Sequence, residues 1–377
     1  MHVGIVVRSQ IDLALDLANE LDAEGMSVTL YMAYLHTVQE VGDSQEPVAH
    51  LYRSGLLPSN CQVRLLKLPR MRSPRSLPLF LRLVKTMRED GVDLVHILLN
   101  PGEIWFALLT FMQRHLPVVT TVIVPSANAG ELLPDLVLWT INKLGTKGSD
   151  VVIVNGTDQI DLVERVYKIP ARRLAYVPLS LHARADKLRK GASKEEPGTV
   201  LFFGRAHPHK GLEYLVQAQP HITKKVQNAR ILISAHGDDL GRCRQMIIDH
   251  SKFEILEGYV SGEEMAEIFS RAALVVLPYV TASTSGVLVT AYSFSKPVVA
   301  SRVGCLAEYV EDGITGLLVS PTDVSELADA IVRLLQDDDL RQSMGKNAEK
   351  WIRDRRKSII KRTIDAYKMA IALKAAS

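Results

Sequence analysis

Arg205 and Lys210 stand five positions apart in the run LFFGRAHPHKGLEYLVQA, residues 201–218. Two fixed cations on one short loop can hold a diphosphate and stabilise the charge that grows on it as a bond to it breaks. Two solvated loop cations would show the same spacing, since Arg and Lys are common at surfaces. A second polar group, Ser283-Thr284-Ser285-Gly286, opens a later helix. Its free backbone N–H groups and hydroxyls could receive a phosphate, or only cap the helix; both uses share one geometry. His96 ends the run DLVH and is a candidate to face an acceptor, although a core histidine is the commoner fate of such a residue. Asn128 and Glu131, in the segment ANAGE, are further acceptor-side candidates, with a solvated surface Glu an equal reading. His207 and His209 flank the cationic loop and are expected to face water.

These residues need elements to hold them. Val200, Leu201, Phe202 and Phe203 read as a buried strand, Gly204 permits a close turn, and Leu212, Leu215 and Val216 repeat at helical spacing. Arg205 and Lys210 therefore sit at a strand's carboxyl end, the edge where open α/β sheets bind ligands. Short apolar runs predict parallel strands at 3–7, 27–31, 63–66, 94–98, 118–123 and 151–154, with helices such as 12–24 between them. The polar stretch HARADKLRKGASKEEPG, residues 182–198, reads as a linker. A second series follows at 200–203, 230–234, 253–257, 274–277, 297–301 and 316–319. Ser261 with Glu264 three residues on predicts a capped helix start. The expected fold is α/β, with two Rossmann-like, doubly wound domains facing a central cleft. Residues 1–180 would form the first domain, completed by the end of the closing helix, 357–377, and residues 181–356 the second.

Composition narrows the function classes. A chain of 377 residues with 47% hydrophobic and 23% charged residues and a net charge of +3 has ample core, which excludes disordered and collagen-like classes. Cys61, Cys243 and Cys305 lie far apart, suggesting neither a zinc site nor a disulfide framework and fitting a reducing cytosol. The opening MHVGIVVRSQ reads as a first strand, and no apolar run reaches membrane-spanning length, so a cytoplasmic or peripheral protein is expected. Arg8-Ser9-Gln10 stands where a dinucleotide-binding glycine motif would follow the first strand, which disfavours a dehydrogenase. The run Asp337-Asp338-Asp339 precedes a helix and reads as a solvated turn and helix start rather than a metal site.

The motifs GRAHPHKG, GYVSGEEM, LPY, SGV, SKPVVAS and EYVEDGITGLLVSPTD occur in an order and spacing that resemble the donor-binding half of retaining glycosyltransferase family 4, of GT-B fold. The similarity runs through most of residues 198–345. It implies transfer of a sugar from a nucleotide donor with retention and without a required metal or other cofactor. Arg205 and Lys210 match the family's diphosphate-holding pair, and Ser285 and Gly286 its phosphate-cradling helix start. Tyr259 matches a residue near the nucleotide base. The donor-binding set expected from the resemblance is thus Gly204, Tyr259, Thr284, Ser285, Gly286, Val287 and Thr290, beside Arg205 and Lys210. The partners it implies are a UDP- or GDP-linked sugar and a glycan or lipid-linked acceptor, as in polysaccharide biosynthesis.

Departures from the family pattern keep a second reading open. The usual paired Glu positions are Ala282 and Thr290, leaving Thr290 or Tyr292 as substitutes for ribose recognition. The family's sugar-facing His is Ile123, and its His-Gly is Leu179-Ser180. A glycosyltransferase-like protein that no longer transfers sugar, and serves as a binding or partner subunit, fits these losses. Residues 64–88 hold eight basic side chains and no acid, interleaved with Leu, Met and Phe. An anionic membrane surface is one reading of that patch, and an ordinary helix with a charged outer face is the other. Sparse aromatic residues and the lack of a recognition motif argue against nucleic acid as a partner.

Overall fold

Thirteen parallel strands among the described residues carry the β-branched runs of the sequence, in two separate sheets. The described residues of the computed structural model are 1–42, 45–68, 73, 75–99, 103–113, 115–122, 132–179, 188, 194–282 and 285–376. The chain divides into two units, Met1–Leu179 with Lys357–Ser377, and Ser180–Arg356.

In the first unit the strands are β1 (His2–Val7), β2 (Ser27–Ala33), β3 (Gln62–Leu66), β4 (Leu94–Leu99), β5 (Val118–Val122), β6 (Val151–Val154) and β7 (Leu174–Tyr176). They lie side by side in the order β3-β2-β1-β4-β5-β6-β7. Helices buried along one stripe cover the sheet; in Ile11–Ala23 the buried apolar positions are Ile11, Ala14, Leu15, Ala18 and Leu21, the 3.6-residue repeat the sequence displays. The end of the helix Asp338–Ala375 also packs here. Its Tyr367 is buried, with the hydroxyl 2.8 Å from Nδ1 of His96 on β4, while Nε2 of His96 lies 2.7 Å from Oγ1 of Thr121 on β5. Burying a large side chain such as Tyr367 contributes about 1.5–3 kcal/mol, so this ring is a principal anchor of the helix end.

The second unit contains β8 (Thr199–Arg205), β9 (Arg230–His236), β10 (Phe253–Glu257), β11 (Leu274–Leu277), β12 (Val298–Ser301) and β13 (Gly316–Val319), in the order β10-β9-β8-β11-β12-β13. The chain winds outward from β8 in one direction, then restarts at β11 in the other. That reversal leaves a crevice beyond the carboxyl ends of β8 and β11, the topological switch point of the sheet. Its core is apolar and continuous, with Val200, Phe202, Ile231, Ile233 and Val276 packed against Leu212, Leu215 and Ile331 of the covering helices.

Side-chain caps mark some of the helix starts. Ser261 and Glu264 form the reciprocal capping box at Gly262–Arg271, a feature whose removal typically costs about 1 kcal/mol. Asp337 accepts from the amide of Leu340, as a helix-start acid does. The last residues of the polar stretch are pinned rather than loose: Glu195 binds the buried Lys296 and Arg341, and Glu196 binds Arg271. β7 was not foreseen, because three half-buried residues carry too little apolar pattern to announce a strand.

Candidate functional site

β8 runs to Arg205, whose Cα pairs in register with His236 at the end of β9. Gly204, at φ +110°, turns the chain where a Cβ would meet Cγ2 of Val287 at 3.5 Å, so strand end and helix start lie against each other. The loop then tightens through a 3-10 turn, Pro208–Lys210, and closes at Gly211 with φ +64°. Any Cβ on Gly211 would lie 1.9 Å from the carbonyl oxygen of Pro278. The amide of Val280 donates to the carbonyl of His209 at 2.9 Å. The loops after β8 and β11 are thus joined main chain to main chain, which fixes where the two cations stand.

Arg205 is exposed and Lys210 half-buried, and among the described residues neither has a carboxylate partner. Nζ of Lys210 sits 3.8 Å from the centroid of the Tyr279 ring. The Tyr279 hydroxyl lies 3.4 Å from Oγ of Ser285, the N-cap of the helix Gly286–Ser293. Ser285 also accepts from the amide of Leu288 at 3.3 Å, leaving the amides before it without an intrahelical acceptor. Tyr259, after β10, is 72% exposed, and its ring lies tilted against that of His236 with centroids 4.0 Å apart. Burial, then the charge of Arg205, holds the His236 pKa below its ordinary value.

His207 and His209 do not simply face water. Both are partly buried, and their Nδ1 atoms lie 2.6 Å apart. Burial, with Lys210, His207 and Arg205 as neighbours, lowers the His209 pKa to about 4. His209 is therefore neutral at pH 7, and Arg205 and Lys210 supply the fixed positive charge of this loop. An arrangement of this kind offers an anion two cations and a helix start at one sheet edge.

Most of the donor-side residues expected from the sequence come together here: Gly204 with Val287, Lys210 with Ser285 through Tyr279, and Arg205 beside His236, whose ring meets that of Tyr259. Thr290 is half-buried and its hydroxyl donates to the carbonyl of Gly286 at 2.9 Å. Thr284 lies outside the described residues, as do Ile123, Asn128 and Glu131.

Two further expectations are corrected. His96 is 2% exposed with both ring nitrogens engaged, and burial lowers its pKa to about 3; it anchors Tyr367 and offers no nitrogen to an acceptor. Tyr292 is fully buried against Trp351, with its hydroxyl 2.6 Å from Oγ1 of Thr315, so it cannot serve a ribose. Sequence reasoning also passed over His236 and Tyr279. An aromatic residue closing a β11-type apolar run, as in LPY, was the available signal for the second.

In the first unit the corresponding reversal lies between β1 and β4. Arg8 follows β1, and it lines one slot with Glu103, Trp105 and Phe80. Glu103 is buried, and Trp105 stacks on Phe80 at 5.9 Å.

Residues 13–180 match the family model of a glycosyl transferase 4-like domain, and residues 197–337 that of glycosyl transferases group 1. The alpha-D-kanosaminyltransferase of Streptomyces kanamyceticus is 30% identical over 199 residues, which are 50% of this chain and 52% of that protein. The matched segments span about half the length of such curated relatives. Among solved structures, sucrose-phosphate synthase from Thermosynechococcus elongatus aligns over 100% of both chains with a TM-score of 0.73 at 21% identity. HepE from Anabaena, in complex with UDP-glucose, aligns over 100% of both chains with a TM-score of 0.70 at 17% identity. With one family domain matched on each sheet and the fold shared from end to end, this chain belongs to the GT-B glycosyltransferases of the family 4 type.

Proposed function

We propose that this protein is a retaining glycosyltransferase that takes a sugar from a UDP- or GDP-linked donor and passes it to a glycan or lipid-linked acceptor, without a metal. One observation carries the reading: among the described residues neither cation at the β8–β11 switch point has a carboxylate partner, while several other cations of the unit do. Lys296 and Arg341 share Glu195, Arg271 lies between Glu196 and Glu254, and Arg242 binds Asp239 and Glu213. A paired cation is already neutralised; an unpaired one remains to meet an anionic ligand. HepE, of the same fold, binds UDP-glucose, which supports a nucleotide-sugar in this place.

In the proposed reaction the bond from the anomeric carbon to the diphosphate oxygen breaks, its electron pair leaves on the diphosphate, and the sugar becomes oxocarbenium-like. Arg205, Lys210 and the helix start at Ser285 and Gly286 stabilise the departing charge without reorganising. The exposed ring of Tyr259 offers a face to the base. Thr290 spends its proton on the Gly286 carbonyl, so its oxygen can only accept, which suits a ribose hydroxyl as donor.

Ala282 and Thr290 in place of two carboxylates favour the alternative, a silent relative that binds the nucleotide and transfers nothing. Thermal shifts with UDP, GDP and their sugars, followed by a donor-hydrolysis assay, separate the two. Stabilisation with turnover supports the enzyme, and stabilisation without turnover supports the silent subunit. No response to either nucleotide sinks both.

The proposed setting is cytoplasmic, with peripheral contact at the inner face of a membrane. No helix among the described residues is long and apolar enough to cross one. Of the eight basic residues in 64–88, Arg64 binds Asp90, Lys85 pairs with Glu89 and Arg88 bonds His115. What supports membrane contact is the helix Ser76–Glu89, which exposes Leu77 and Leu81 beside Arg75 and Arg82. Sedimentation with anionic liposomes at low and high salt tests it; absence of binding at both removes the membrane from the reading.

A further inference from the structure

We propose that Tyr279 is a positioning residue of the diphosphate site, its ring face holding the ammonium of Lys210 where the leaving group forms. The inference rests on the reading of Arg205 and Lys210 as the cations of a nucleoside diphosphate.

Tyr279 is buried to 1% exposure, yet its hydroxyl is poorly used. Its partner, Oγ of Ser285, is 3.4 Å away, at the long limit for an O–H···O contact. Other buried tyrosines do better: Tyr31 reaches Asp90 at 2.8 Å, Tyr292 reaches Thr315 at 2.6 Å and Tyr367 reaches His96 at 2.8 Å. The distinctive contact of Tyr279 is instead through its face, 3.8 Å from Nζ of Lys210. A ring's negative face attracts an ammonium, and most strongly where water is scarce. No carboxylate competes for that ammonium among the described residues. The ring therefore restrains a flexible side chain without neutralising it, leaving the charge available to an anion.

The frame around the ring is rigid. Pro278 precedes it and packs on Gly211, Val280 follows it and donates to His209, and its hydroxyl edge lies against the cap of Gly286–Ser293. Tyr279 thus touches the cationic loop and the helix start together, the two halves of the proposed anion site.

Calorimetric titration of UDP and UMP into the full chain tests this, with Tyr279→Leu, Tyr279→Phe, Lys210→Ala and the Leu/Ala double variant. The expected result is about a tenfold weaker UDP affinity in Tyr279→Leu, with UMP changed less than about twofold, since the ring acts through a cation on the terminal phosphate. Tyr279→Phe keeps the face and stays within about threefold of the parent. The double variant binds UDP no more weakly than Lys210→Ala alone, because the ring has nothing left to hold. Pentafluorophenylalanine at position 279 keeps the shape of Phe while reversing the charge of the face, and should match the Leu variant; this guards against a Leu variant that fails to fold. Equal losses for UDP and UMP, additive losses in the double variant, or a fluorinated ring that binds like Phe would each overturn the role of Tyr279. Unchanged UDP affinity in Lys210→Ala would instead overturn the diphosphate reading itself.

Discussion

At the reversal between β1 and β4 the first unit sets Arg8 in one slot with the buried Glu103, whereas at the reversal between β8 and β11 the second sets Arg205 and Lys210, which have no carboxylate partner among the described residues. Both sheets are wound alike, so topology fixes where each crevice lies and says nothing about what enters it. The charges that line each crevice make that distinction. A cation sharing its slot with a carboxylate presents a mixed surface suited to neutral polar groups, and two uncompensated cations present a surface for an anion.

The largest effect should appear when that contrast is removed. Arg205→Ala and Lys210→Ala are each expected to lower donor turnover by about a hundredfold or more, the usual cost of one preorganised donor aimed at developing charge. Arg8→Ala should cost less than about tenfold, because Arg8 shares its slot with a carboxylate and is not one of the proposed diphosphate cations. Steady-state kinetics on the purified variants decide it. Equal losses at Arg8 and Lys210 would erase the distinction between the two crevices.

A conformational contrast follows the electrostatic one. Each unit enters the helix after its first strand through a left-handed residue, Gln10 at φ +66° in the first and Gly211 at φ +64° in the second. Gly211 has no alternative, since a Cβ would lie 1.9 Å from the Pro278 carbonyl oxygen. Gly211→Ala should destabilise the protein by about 3 kcal/mol, combining left-handed strain with overpacking, and should weaken UDP binding as the two loops part. Urea unfolding measures the first and titration the second. A variant as stable as the parent would mean that the junction of the loops yields.

Much of this was legible in the residues. The strands at Val151–Val154, Leu274–Leu277 and Gly316–Val319 have the bounds their apolar runs announce, because burial on both faces leaves an unbroken signal. Arg205, Lys210 and Ser285 were legible as polar exceptions at the ends of such runs. Tyr279 and His236 were not, because a ring beneath an ammonium or beneath another ring is made by two separate loops. His96 was misread for the same reason. Its partner Tyr367 lies 271 positions away, and no local pattern joins them.

His96 and His209 are both held below their ordinary pKa, to about 3 and about 4, for different ends. His96 is wholly buried and neutral, bonded at both nitrogens, so the unfolded chain binds a proton that the folded chain refuses. The folded value lies under the unfolded one of about 6.5, so stability is full above pH 6.5 and falls as the pH drops towards 3. By pH 5 the loss attributable to His96 should reach about 2 kcal/mol. His209 is half-buried among cations, and a bound diphosphate should raise its pKa, an effect absent at His96. Urea midpoints at pH 7 and pH 5 for the parent and His96→Gln give the size, and a variant that loses as much as the parent would free His96 of the effect.

The smallest effect asks whether the first crevice does anything with its own left-handed residue. Gln10 adopts a conformation that costs a side-chain-bearing residue about 1–2 kcal/mol, and it makes no side-chain cap to the helix Ile11–Ala23. Glycine at that position would relieve the strain but give back part of it as extra freedom in the unfolded chain, about 0.4–1 kcal/mol. Gln10→Gly should therefore raise stability by about 0.5 kcal/mol, read from urea midpoints with an unchanged slope. A clear loss of stability would show that the Gln10 side chain does structural work the backbone strain conceals. A gain in stability accompanied by lost turnover would be more telling. It would mean that the strained Gln10 is kept for the reaction, and that the first crevice, for all its mixed charge, holds part of the chemistry proposed for the second.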